Sequence, residues 1–153
     1  MLLNGDVFFE EEILEQICSE KRSPILFADN NKIDDADYKF YYEDNILKKY
    51  GKELKKGEYN EEYIGIARVN RDFLDIFRKR LNDLIFEEKF DMWWEDVLYT
   101  LTNEYDIYVE DINGKFFSEI DYFKDYSKIL NYIKNKNNIF NSTNVLNEET
   151  VYE

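Results

Sequence analysis

No histidine occurs anywhere in the 153 residues. That excludes Ser-His-Asp and Cys-His catalysis, His-ligated zinc and imidazole proton transfer together, leaving carboxylates, lysines, tyrosines or a bound metal for any chemistry. Cysteine occurs once, at Cys18, so neither an internal disulfide nor a thiolate metal cage can form; its place beside Ile17 predicts a small buried side chain in a reducing compartment. Proline occurs once and glycine five times, at positions 5, 51, 57, 65 and 114, with no Gly-x-Gly spacing. No apolar run approaches the roughly 18 residues of a membrane span, and the amino terminus lacks the basic start and apolar core of a signal peptide. The expectation is a soluble cytoplasmic protein with no membrane partner. Basic residues are also scarce: 20 Lys plus Arg against 34 Asp plus Glu give a net charge of −14. This is the wrong sign for gripping a phosphate backbone, so nucleic acid is not an expected partner.

Aromatic residues are abundant, with 12 Phe, 13 Tyr and 2 Trp. Acidic disordered chains are poor in such residues, so a folded domain is expected despite the charge. Met1–Phe9 reads as strand and tight turn, Glu10–Glu20 as a helix, Pro24–Ala28 as a buried strand, and Tyr38–Tyr42 with Ile46–Leu47 as a hairpin at the sheet margin. Glu62–Val69 is a further strand, and Arg71–Glu88 behind an Asn70 cap has the strongest helical periodicity. Trp93–Asn103 reads as another helix. Asp106–Ile112 and Lys115–Ile120 flank Asn113-Gly114 as a hairpin, and a last helix after Asp121 would turn Phe123, Tyr126, Ile129, Leu130 and Ile133 inward. Residues 1–135 are expected to form one domain, with 136–153 as a polar tail. Alternating strands and helices predict an α/β fold, a mixed and mostly parallel sheet flanked by helices. In such sheets ligands sit beyond the carboxyl ends of strands, where Asp6 and Asp121 fall.

Leu2-Leu3-Asn4-Gly5-Asp6, Gly57-Glu58-Tyr59-Asn60-Glu61-Glu62-Tyr63-Ile64-Gly65, Trp94-Glu95-Asp96-Val97-Leu98 and Glu119-Ile120-Asp121 stand in the order found in the sugar-nucleotidyltransferase superfamily, and the chain resembles its phosphocholine cytidylyltransferase branch. The resemblance spans roughly residues 2–133. It implies that Asp6 and Asp121 ligate Mg²⁺ beside nucleotide phosphates; Lys52, read from its charge as able to reach a phosphate, is a third catalytic candidate. Magnesium commonly takes one or two protein carboxylates and keeps water and phosphate oxygens elsewhere, and phosphoryl chemistry needs alignment and charge neutralisation more than imidazole. The family's glycine-rich nucleotide loop has no counterpart here. The chain therefore corresponds to the acceptor-and-metal half of a nucleotide-diphospho-sugar-transferase-like fold, and self-association or a partner chain carrying the other half is expected.

Each candidate also has a plain structural reading. Asp6 and Asp121 would serve as helix caps; Lys52 sits in a lysine-rich strip that water alone would hold; Glu119 is an acceptor contact or a solvated strand residue. Trp93-Trp94-Glu95-Asp96 is either core plus the acidic first turn of a helix or, with Glu62 and Tyr63, a box of aromatic faces and carboxylates for a choline-like quaternary ammonium. The implied activity is Mg²⁺-dependent cytidylyl transfer from the nucleotide CTP to phosphocholine or a similar small acceptor. The competing reading is a non-catalytic acidic interaction protein or nucleic-acid decoy, which would need its acids arrayed on one surface.

Overall fold

The strand Ile25–Asp29 (β3) is the hub of the molecule, because its alternate side chains enter two different cores. Leu26 and Ala28 join one cluster with Phe73, Phe77, Val97 and Leu98, while Ile25 and Phe27 join another with Ile13 and Ile17. A strand buried on both faces needs a continuous apolar run, which this segment supplies. The computed structural model describes residues 1–31 and 38–149, side chains of 139–149 excepted.

Around β3, the strands Leu2–Leu3 (β1), Lys39–Glu43 (β4), Ile46–Gly51 (β5), Glu61–Arg68 (β6) and Tyr108–Asp111 (β7) form one sheet in the order β1-β6-β3-β7-β5-β4. Among the described residues only the β3–β7 pairing is parallel. The mostly parallel sheet expected from the sequence is therefore corrected to a mixed sheet dominated by antiparallel neighbours. The sheet also curls until β4 meets β6, Phe40 opposite Glu61 and Lys39 opposite Glu62, which gives a barrel-like closure. The β4–β5 hairpin turns at Asp44 and Asn45, both with positive φ, as a two-residue turn requires. It stands in the ring, not at a margin.

Other expectations need correction as well. Val7–Phe9 (β2) and Phe117–Glu119 (β8) pair with each other as a separate antiparallel ribbon, so Asn113-Gly114 is a turn between β7 and β8 but closes no hairpin. The turn is anchored elsewhere: the Gly114 amide donates to Asp29 Oδ1 at 3.0 Å. The helix expected over Trp93–Asn103 is only Asp96–Tyr99 (α3), with turns on either side. Cys18 is exposed, since on the helix Glu11–Ser19 (α1) it stands one position past Ile17 and so about 100° around from the buried face.

The helix Arg71–Phe86 (α2) begins as predicted, with Asn70 Oδ1 accepting the Phe73 amide at 2.9 Å. The last helix, Phe123–Glu149 (α4), continues past residue 136, where the tail was expected; residues 150–153 lie outside the described residues. Ile129 is buried as expected, but Phe123 is 85% exposed and Tyr126, Leu130 and Ile133 are also exposed. The face expected to turn inward is mostly open. No helix among the described residues is long and apolar enough to cross a membrane.

Candidate functional site

Strand β6 has two neighbours along one edge. At its start it pairs with β4 through Glu61 and Glu62, and near its end with β1 through Ile66 and Ala67. Between them the strand bends: Leu26 and Ala28 of β3 face Ala67 and Tyr63, so four steps along β6 oppose two along β3. Gly65 takes φ +74° at this bulge, a conformation glycine adopts without strain. A Cβ there would lie 2.9 Å from Val7 Cγ2 and 3.0 Å from Asn4 Nδ2. The bulge thus lets the Asn4–Val7 segment lie against β6, and a cleft of about 210 Å³ opens where the edge divides.

The cleft brings together all but one of the residues singled out from the sequence. Asp6, Glu119 and Asp121 line it together with Lys52, Glu62 and Tyr63 and with Trp93, Glu95 and Asp96. Trp94 is the exception. Its ring packs against the core, and its Nε1–H donates to Asn4 Oδ1 at 2.8 Å. Asn4 and Tyr38 also line the cleft and were missed; neither carries a charge, although Asn4 stands within the Asn-Gly-Asp run and Tyr38 opens an aromatic strand.

Asp6 and Asp121 stand at the same end of the β2–β8 ribbon. Val7 faces Glu119 in register, and the Ile120 amide donates to the Asp6 carbonyl at 2.9 Å. The capping roles are filled by other groups or left open. Glu10 holds the N-cap of α1 with no side-chain cap bond, and the Tyr122 amide at the start of α4 donates to Asp125 Oδ2 at 2.9 Å. Among the described residues no group of three or more acidic, His or Cys side chains stands close enough to hold a metal ion. Magnesium tolerates few protein ligands when phosphate oxygens and water supply the rest, and carboxylates are the hard oxygen donors it takes.

Tyr38, Tyr63, Glu95 and Asp96 make part of the lining aromatic and acidic, and further rings pack against its tyrosines. Tyr50 and Tyr38 both stack on Tyr99, with centroids 4.4 and 5.6 Å away, and Phe40 tilts against Tyr63 at 5.0 Å. Asp96 Oδ2 accepts the Trp93 amide at 2.7 Å, so its role in the turn is real beside its place in the cleft. Burial pushes the Glu95 carboxyl above its usual range, helped by the neighbouring Asp96 charge and opposed by a backbone hydrogen bond. Burial likewise drives the Tyr63 hydroxyl well above the ordinary tyrosine value, with Glu95 and Glu119 adding to it.

The Asn4–Trp94 bond joins the turn carrying Asp6, between β1 and β2, to the turn carrying Glu95. Asn4→Leu should therefore lower stability by about 1 kcal/mol and, in a Trp93→Phe background, shift the Trp94 emission. Unchanged emission would mean that the bond does not persist in solution.

The fold is the one seen in solved CTP-transferases. The chain is similar to the CTP:phosphocholine cytidylyltransferase from Streptococcus pneumoniae at 16% identity and TM-score 0.62, over 86% of this chain and 56% of that one. It is similar also to the inositol-1-phosphate CTP transferase from T. maritima, at 18% identity and TM-score 0.55, over 79% of this chain and 48% of that one. The chain spans about half the length of each structure. No protein-family model and no curated protein sequence matches it.

Proposed function

We propose that the chain is a nucleotidyltransferase-like protein whose cleft takes a small phosphorylated acceptor with a cationic head, phosphocholine or similar, for cytidylyl transfer from CTP. The observation that carries this reading is that one cleft is lined by the two aspartates flanking the β2–β8 ribbon, Asp6 and Asp121, and by Tyr63, Trp93, Glu95 and Asp96. In the reaction an oxygen of the acceptor phosphate attacks the α-phosphorus of CTP, the bond to the β-phosphate oxygen breaks, and pyrophosphate leaves. Asp6 and Asp121 would hold Mg²⁺, which when bound supplies charge neutralisation for the phosphates. Lys52, on the turn after β5, would meet an acceptor phosphate, and Glu95 and Asp96 would favour a cationic head. No Gly-x-Gly occurs in these residues, so the nucleotide's phosphates would be held by a loop outside them.

The metal part is tested by titrating Mn²⁺ into the protein and following its electron paramagnetic resonance. One site is expected, and Asp6→Asn and Asp121→Asn should each weaken it by at least about tenfold, no less than the loss of a ligand's supporting partner. Absence of binding, or binding indifferent to both substitutions, would remove the shared-ion site. Pyrophosphate release from CTP with phosphocholine, measured with and without candidate second chains, tests the transfer itself.

A further inference from the structure

The acceptor wall contains two polar atoms with nothing to bond. Tyr63 is 6% exposed and Glu95 is 9% exposed, and the Tyr63 hydroxyl and Glu95 Oε2 have no hydrogen-bond partner among the described residues. Native proteins rarely leave such groups unsatisfied, and where they do an unseen ligand is a natural partner. Both side chains belong to the lining of the cleft, with the two atoms themselves covered, so a ligand reaches them when the side chains turn outward. The aromatic surface, by contrast, is largely committed: Tyr38 and Tyr50 stack on Tyr99, Phe40 leans on Tyr63, and Trp94 is turned into the core. Trp93, 74% exposed, is the open ring. A quaternary ammonium is held by several open aromatic faces and donates no hydrogen bond. A primary ammonium donates three.

We propose that the head group recognised here is a primary ammonium on a short phosphorylated chain, its N–H groups bonding Glu95 Oε2 and the Tyr63 hydroxyl, and that a trimethylammonium is the poorer ligand. The inference rests on reading the cleft as an acceptor site and narrows that reading. An ammonium at this place also favours the ionised form of Glu95 against the burial that opposes it.

The full chain is titrated calorimetrically with phosphoethanolamine and, separately, with phosphocholine. Phosphoethanolamine is expected to bind at least about tenfold more tightly, the scale of one charge-assisted hydrogen bond. Glu95→Gln and Tyr63→Phe should each shrink that ratio to about threefold or less, chiefly by weakening phosphoethanolamine. Tyr63→Phe removes an unsatisfied buried hydroxyl and Glu95→Gln removes a charge that burial opposes, so both variants should melt no lower than the unmodified protein. Equal or tighter binding of phosphocholine overturns the primary-ammonium inference and leaves the acceptor reading standing. A preference that survives both substitutions also overturns the inference. Binding of neither compound removes the acceptor reading together with it.

Discussion

Glu61→Gln is expected to raise stability at pH 8 by as much as about 3 kcal/mol, while leaving it nearly unchanged near pH 4. Glu61 is 3% exposed, at the point where β6 meets β4 and closes the curled sheet. One of its oxygens accepts the Tyr42 hydroxyl, and the other has no partner among the described residues. Burial pushes its carboxyl up to about 7 from an ordinary 4.5; the Tyr42 bond opposes the shift, and Asp111, Asp29 and Glu110 reinforce it. A carboxyl raised in the folded state holds a proton that the unfolded chain has already released. Its contribution is complete below pH 4.5 and is lost as pH rises through about 7. Glutamine keeps the acceptor for Tyr42 and never ionises, so the denaturant midpoint of the variant should change less across that interval. Parallel pH profiles for the two proteins, or a less stable variant at pH 8, would contradict this account.

Gly65→Ala is expected to cost about 2–3 kcal/mol, which for a chain of this size lowers Tm by on the order of 5–10 °C. Left-handed backbone penalises any L side chain by about 1–2 kcal/mol. The new methyl group would also meet Val7 Cγ2 at 2.9 Å and Asn4 Nδ2 at 3.0 Å, and the cheapest relief is to push the Asn4–Val7 segment away from β6. Asp6 lies on that segment, so Mn²⁺ affinity should fall along with Tm. Differential scanning calorimetry and the metal titration together check the point; a fall in Tm with unaltered metal affinity would show that the strain is relieved elsewhere.

What the sequence made legible was local. Asn70 caps α2 because the cap and its receiving amide are three residues apart, and Asp44-Asn45 turn the β4–β5 hairpin because two adjacent residues accept positive φ. Pairing was hidden because it is decided by distant residues. Asn113-Gly114 adopts the left-handed backbone its composition predicts, yet Asp29, far away in sequence, takes up the Gly114 amide and the flanking strands find other partners. Likewise the apolar face of α4 is periodic whether or not anything covers it. In the cleft the charged residues were legible through motif order, whereas Asn4 and Tyr38 act by hydrogen bonding and stacking and bear no signature of charge. Three acids stand apart from any surface array of the kind a decoy requires: Glu61 and Asp29 are buried, and Glu95 lines the cleft.

The divided edge of β6 also sets a hierarchy of local opening. β1 is held by two residue pairs, whereas the β3 side of β6 is paired along most of its length and buried on both faces. Fraying of β1 releases few backbone bonds and little apolar surface, so its amides belong to the fast-exchanging end of the protein's deuterium-uptake spectrum and those of β3 to the slow end. The aspartate wall is therefore the yielding side of the cleft, and the tyrosine wall is its anvil.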